Sequence, residues 1–172
     1  MTADELLAMP DDGNRYALVN GELITMSPAG FEHGVIGNRI ATHLSVFVAQ
    51  SKLGEVADSS AGYLITRDPD TVLEPDVSFV RAERVIRTSK YFPGPPDLAI
   101  EVISPNDMYD EVDTKVGIYL AAGTRMVIVV NPRNDTVTVS TPGGATRLTI
   151  DDTLSGGDVV PGWSLPLREL FD

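Results

Sequence analysis

The chain has 172 residues, 42% of them hydrophobic and 22% charged, with no cysteine and a net charge of −12. That size and balance suit one ordinary globular domain with a core of its own and exclude a disordered chain. Disulfides, thiol chemistry and cysteine-based zinc sites are excluded, no apolar run approaches the ~18 residues of a membrane span, and the acidity argues against non-specific coating of nucleic acid.

The start, "MTADELLAMPDDGNRY", is acidic and lacks the basic residues and apolar stretch of a secretory leader, so the cytoplasm is the expected compartment. Within it Thr2 and Glu5 form a capping-box pattern that opens a short helix with Leu6, Leu7 and Met9. Asn20-Gly21, between "RYALV" and "ELITM", is a strong hairpin signal. After the break at "SPAG", Ile36, Ile40, Leu44 and Phe47 recur at helical spacing and predict one long amphipathic helix over about 31–50. Gly34 and Gly37 weaken its first turn. "GYLIT" and "PDVSFV" read as strands on either side of the turn-rich "RDPDT". "DLAIEVI" follows the proline-rich "FPGPP" and reads as a buried strand. A helix over about 110–122 ends at Gly123, a C′ glycine. "MVIVV", "TVTVS" and "TRLTI" read as a run of strands with "NPRND" as the first turn, and the apolar tail "VVPGWSLPLRELF" packs back on them. The expected fold is α/β (α+β), a mixed β-sheet flanked by helices with additional N- and C-terminal strands, in a single domain over 1–172.

Glu101 lies inside an apolar strand, where a carboxylate is costly unless something compensates for its charge. Side chains alternate along a strand, so Asp97, Ala99, Glu101 and Ile103 share one face. In "PDVSFV" the residues Asp76, Ser78 and Val80 do the same. If the two strands pair antiparallel, Asp76 lies near Glu101, and two such carboxylates repel unless a proton or cation sits between them. With no cysteine or suitably spaced histidine, an all-oxygen site favouring Mg²⁺ or Mn²⁺ over zinc is expected. Lys115 lies at the edge of the helical stripe formed by Val112, Val116, Tyr119 and Leu120, from where its stem can run along the core and deliver an ammonium to the strand end. Two acids on a metal with a nearby lysine suit phosphodiester hydrolysis. The bland alternative is a solvated acid at a strand end and a lysine that merely reaches for water.

At these residues the sequence resembles the Uma-two family, bacterial endonuclease-type proteins of the restriction-endonuclease-like, PD-(D/E)XK superfamily. The matching pieces are "RYALVNGELITMSPAG" with His33 soon after, "EPDVSFV", "PDLAIEVISP", "KVGIYLAAGT" and "MVIVVNP". The resemblance implies the superfamily's mixed sheet with flanking helices and a metal-dependent nuclease site. It implies Asp76 and Glu101 as metal-binding acids, with Val102 offering its backbone carbonyl. The usual lysine two residues after the second acid is replaced here by Ile103, and the resemblance implies that Lys115 on the next helix serves instead. His33 matches a histidine common in the family. Asn131 before Pro132 departs from the family's frequent aspartate at that point.

Of the two histidines, ten residues apart, His43 reads as a partly buried helix residue and His33 as the better functional candidate. "RAERVIRTSK" sets Arg81, Arg84, Arg87 and Lys90 three residues apart. If helical, they share one basic face, directly after the Asp76 strand, where they could meet nucleic acid together with His33. The glycines of "SPAG" and "TPGG" fit no phosphate-loop pattern. The expected activity is that of a Mg²⁺- or Mn²⁺-dependent endonuclease acting on DNA, as a homodimer by analogy with the superfamily and with no membrane partner. The rival is a non-catalytic binding module that keeps the fold.

Overall fold

The computed structural model describes residues 1–172 and divides the strands between two mixed sheets and a short C-terminal hairpin. Helix α1 (Ala3–Leu7) carries the expected capping box, Thr2 and Glu5 satisfying each other's backbone amides. Strands β1 (Tyr16–Val19) and β2 (Glu22–Thr25) form the expected hairpin, with Asn20 at φ 51° and Gly21 at φ 80°, the left-handed pair that a tight primed turn requires. Helix α2 (Phe31–Ser51) buries Ile36, Ile40, Leu44 and Val48.

Strands β3 (Gly54–Asp58), β4 (Tyr63–Thr66), β5 (Thr71–Leu73), β6 (Val77–Arg81), β7 (Phe92–Pro93) and β8 (Leu98–Val102) follow. Helix α3 (Tyr109–Ala122), strands β9 (Met126–Asn131), β10 (Thr136–Thr141), β11 (Gly144–Leu148), β12 (Thr153–Ser155) and β13 (Ser164–Pro166), and helix α4 (Leu167–Phe171) complete the chain. The larger sheet runs β11-β10-β9-β8-β6-β3 and the smaller β2-β1-β5-β4-β7. "GYLIT" and "PDVSFV" thus fall in different sheets, β4 pairing with β5 and β6 with β3 and β8. Gly54 permits the close approach of β3 to β6, since a Cβ there would stand 2.1 Å from the Val80 carbonyl oxygen.

Strand β8 is the hub, with all five residues buried. It lies antiparallel to β6 and parallel to β9, and α3 is the crossover between the two parallel strands. Leu98, Ile100 and Val102 face a core built with α2 and with Trp163, Leu167 and Leu170 of the tail. Ala99 faces the other way, toward Tyr119 of α3 and Ala17 and Tyr63 of the smaller sheet. Glu101 shares that second side, so alternation alone aims its carboxylate between the sheet and α3.

The condition for a common basic face is not met. "RAERVIRTSK" is not a helix: β6 takes in Arg81, a 3-10 turn spans Ala82–Arg84, and the rest is irregular up to β7. The three-residue spacing of its cations therefore defines no common face.

Candidate active site

The register of β6 against β8 pairs Val77 with Ile100 and Ser78 with Ala99, and one further step sets Asp76 opposite Glu101. Pro75, the step beyond, has no amide hydrogen to offer β8. The Val102 amide instead donates to Asp76 Oδ2 at 2.7 Å, and His33 Nε2 lies 3.1 Å from the same oxygen. Asp76 is thereby fixed from the β8 backbone on one side and from the first turn of α2 on the other. That contact raises the His33 pKa, with burial opposing and the charges of Asp76, Asp107 and Glu101 adding to the rise.

Helix α3 supplies the partners of Glu101. Lys115 and Tyr119, four residues apart, occupy one face of the helix. Lys115 Nζ lies 3.2 Å from Glu101 Oε2, and the Tyr119 hydroxyl donates to Oε1 at 3.1 Å. Burial pushes the Glu101 carboxyl above the usual range; Lys115 opposes this and Asp76 reinforces it. For Lys115 burial disfavours the ammonium, yet the attraction of Glu101 prevails and its pKa rises. Tyr119 is pushed well above its ordinary value by burial and then by Glu101, so it stays a neutral donor. The geometry thus joins the three residues singled out for hydrolytic chemistry, Asp76, Glu101 and Lys115, and adds His33 to them.

These groups form the floor and one wall of a cavity of about 460 Å³. The hairpin β1–β2, the segment around Asp107 and the outer face of α3 complete it. No three His, Cys, Asp or Glu side chains gather as a ready metal cage. The donors available are two carboxylates, with both hydrogen bonds of Asp76 falling on Oδ2, and the backbone carbonyl of Val102, whose neighbour Pro75 cannot donate to it. An oxygen set of this kind, with several positions left to water, fits Mg²⁺ or Mn²⁺ and not zinc.

The family model described as "Putative restriction endonuclease", Uma2, matches residues 3–168. The chain belongs to the Uma2 family. Its fold is also that of the crystal structure of a "putative nuclease belonging to DUF820" from Anabaena variabilis, with a TM-score of 0.87 at 20% identity over 99% of this chain and 97% of that one. No curated protein matches it.

Elsewhere in this Uma2 chain the sequence reading needs correction. Arg81 closes β6 and Asp76 immediately precedes it, which at ~3.4 Å per residue puts the two about 17 Å apart. The arginines are therefore at the far end of β6, not beside the acids. Their local partner is Asp97, a buried carboxylate with Arg84 Nη1 at 2.9 Å and Arg81 Nε at 3.4 Å. Arg84 also bonds the Pro95 carbonyl and lies over the Phe92 ring. A buried charge demands such partners. Arg87 remains exposed. His43 is a partly buried residue of α2 whose Nδ1 accepts from Trp163 Nε1 at 2.9 Å.

Two site features of the Uma2 chain escape a reading by apolar stripes. Tyr119 looks like a core residue, although its spacing from Lys115 is the signal that both reach one carboxylate. Arg133, in the turn after β9, donates to the carbonyls of Ser104 and Pro105 and fastens the loop that carries Asp107 to the cavity rim. No helix is long and apolar enough to cross a membrane.

Proposed function

We propose that the chain is a metal-dependent endonuclease that hydrolyses phosphodiester bonds in DNA. The observation that carries this reading is the meeting of Asp76, Glu101 and Lys115 on the floor of one open cavity in a Uma2 family member. Asp76, Glu101 and the Val102 carbonyl would hold Mg²⁺ or Mn²⁺, which when bound neutralises phosphate charge and makes water a better nucleophile.

The chain's own groups do the rest. Tyr119 and Lys115 hold Glu101 by one oxygen each, which fixes the carboxylate plane in its pocket. His33 and the Val102 amide both hold Asp76 by Oδ2, which leaves Oδ1 free. The raised pKa of Lys115 keeps its ammonium charged at neutral pH, so it suits stabilising charge that develops on the phosphate and not the uptake of a proton. A non-catalytic binding module is favoured by the missing third side-chain ligand and the charge of −12.

The test incubates the protein with supercoiled plasmid in Mg²⁺ or Mn²⁺ and follows metal binding by calorimetry, alongside Asp76→Asn and Glu101→Gln. Both variants are expected to lose cleavage and most Mn²⁺ affinity. Unchanged affinity in both would refute the metal assignment, and intact Mn²⁺ binding without any cleavage would favour the binding module.

A further inference from the structure

The hairpin wall of the cavity is largely apolar, and its β2 strand is exposed. Pairing of Ala17 with Ile24 sets alternate residues of the hairpin on one side, and Ala17, Val19, Ile24 and Met26 all line the cavity. β2 is an edge strand with every residue exposed; Ile24 is 46% exposed and Met108, across the mouth, 63%. Apolar side chains gathered around one opening mark a surface that receives something.

Its charges say what it cannot receive by electrostatics alone. Of the cations lining the cavity, Lys115 is engaged with Glu101, and Arg15 with Glu74 at 3.2 Å and with the Ser59 carbonyl. Asp107, Asp110 and Glu111 add negative charge around them. A duplex gripped through its backbone needs a row of free cations for its phosphates, and this cavity has none. An unpaired strand carries the same phosphates, but it also offers base faces that a duplex hides in its stack, and an apolar wall suits these. The volume of about 460 Å³ lies within the ~300–1,000 Å³ of small-ligand sites, room for a nucleoside unit and not for a double helix.

We infer that the substrate is DNA that is unpaired at the point of cleavage, with one nucleotide out of the stack and its base against Val19, Ile24 and Met26. The adjoining phosphate then reaches Asp76, Glu101 and Lys115. This rests on the nuclease reading and narrows its substrate class. It also requires only one copy of the chain per cut.

The experiment compares one sequence as a single strand, as an intact duplex and as a duplex with an internal unpaired loop. Cleavage is measured in Mn²⁺, and binding in Ca²⁺ by the fluorescence of 2-aminopurine placed in the unpaired segment. Parent protein is set beside Ile24→Ser/Met108→Ser, two exposed positions whose change leaves the core alone, with urea midpoints confirming equal folding. The expected result is cleavage in unpaired segments at least tenfold faster than in duplex, with binding of the unpaired strand weakened roughly tenfold in the double variant and Mn²⁺ affinity unchanged. Equal cleavage of intact duplex, or a double variant that binds and cuts like the parent, would overturn the inference and leave the nuclease reading standing. A double variant altered in sedimentation but not in substrate preference would also overturn it, showing the apolar rim to be a contact between copies. Binding confined to unpaired strands without cleavage would uphold the binding preference and remove the nuclease reading, whereas neither binding nor cleavage of any substrate would end both.

Discussion

Replacing Lys115 and Glu101 singly and together tests how the site's ion pair is held. Lys115→Met keeps the apolar stem but leaves the Glu101 carboxyl, 9% exposed, with the Tyr119 hydroxyl alone. Stripping a buried charge of its partner costs about 3–5 kcal/mol when the charge must persist. Glu101 can instead take up a proton, since burial already raises its pKa, so a loss of about 2–3 kcal/mol is expected at pH 8. Glu101→Gln strands an ammonium that still reaches water, its side chain being 27% exposed, and should cost about 1–2 kcal/mol. The double variant removes both charges and should lie within about 1 kcal/mol of the parent, or above it. The coupling is then at least about 2 kcal/mol. Urea unfolding followed by the fluorescence of Trp163, the one tryptophan and a buried one, measures each corner. The pH dependence has a definite sign. A carboxyl whose folded pKa is raised contributes stability that is present below its ordinary value of 4.5 and lost as pH rises through the folded value. The deficit of Lys115→Met should therefore shrink as pH falls from 8 toward 4.5. Costs that simply add in the double variant, with a coupling under about 0.5 kcal/mol, would show that the two groups are solvated and the pair is incidental.

Other changes separate support from function. Arg84→Ala should destabilise by about 2–3 kcal/mol, because Asp97 stays buried with a weaker partner, whereas Arg87→Ala at an exposed position should stay within about 0.5 kcal/mol; equal effects in thermal unfolding would contradict the assignment. By NMR, His33 should titrate above the ordinary histidine value and fall back toward it in Asp76→Asn, since the bond to Asp76 is the main cause of its rise. A His33 resonance that ignores that substitution would show the contact to be absent in solution.

The sequence made the chemistry more legible than the architecture, and particular residues show why. Asp76 and Glu101 could be brought together because antiparallel pairing has one strict rule, alternation, and both strands are short enough for register to matter. Lys115 could be placed because helical phase needs only counting. What escaped depended on contacts between distant parts of the chain. β3, with "GEVAD", has no apolar alternation strong enough to announce a strand, and gains its place through Gly54 and β6. Nothing local tells that β4 pairs with β5 in one sheet while β6 joins another. The arginines after β6 mimic a helix face because their spacing is regular, yet that spacing is overridden by a buried carboxylate sixteen positions on, at Asp97, whose need for counter-charge appears only once β8 is enclosed.

The central position of β8 also governs the order in which the molecule can be completed. Asp76, Glu101 and Lys115 all precede β9, but β9 forms one of the two walls between which β8 is held, and Leu98 and Ile100 are fully shielded only with it in place. A growing chain that ends at α3 has made every acid and base of the cluster, yet one edge of β8 still meets water. Helix α3, which carries Lys115 and Tyr119, packs against β9, so its hold on Glu101 is complete only when β9 is in place. The cluster acquires its character at the moment the sheet closes over it.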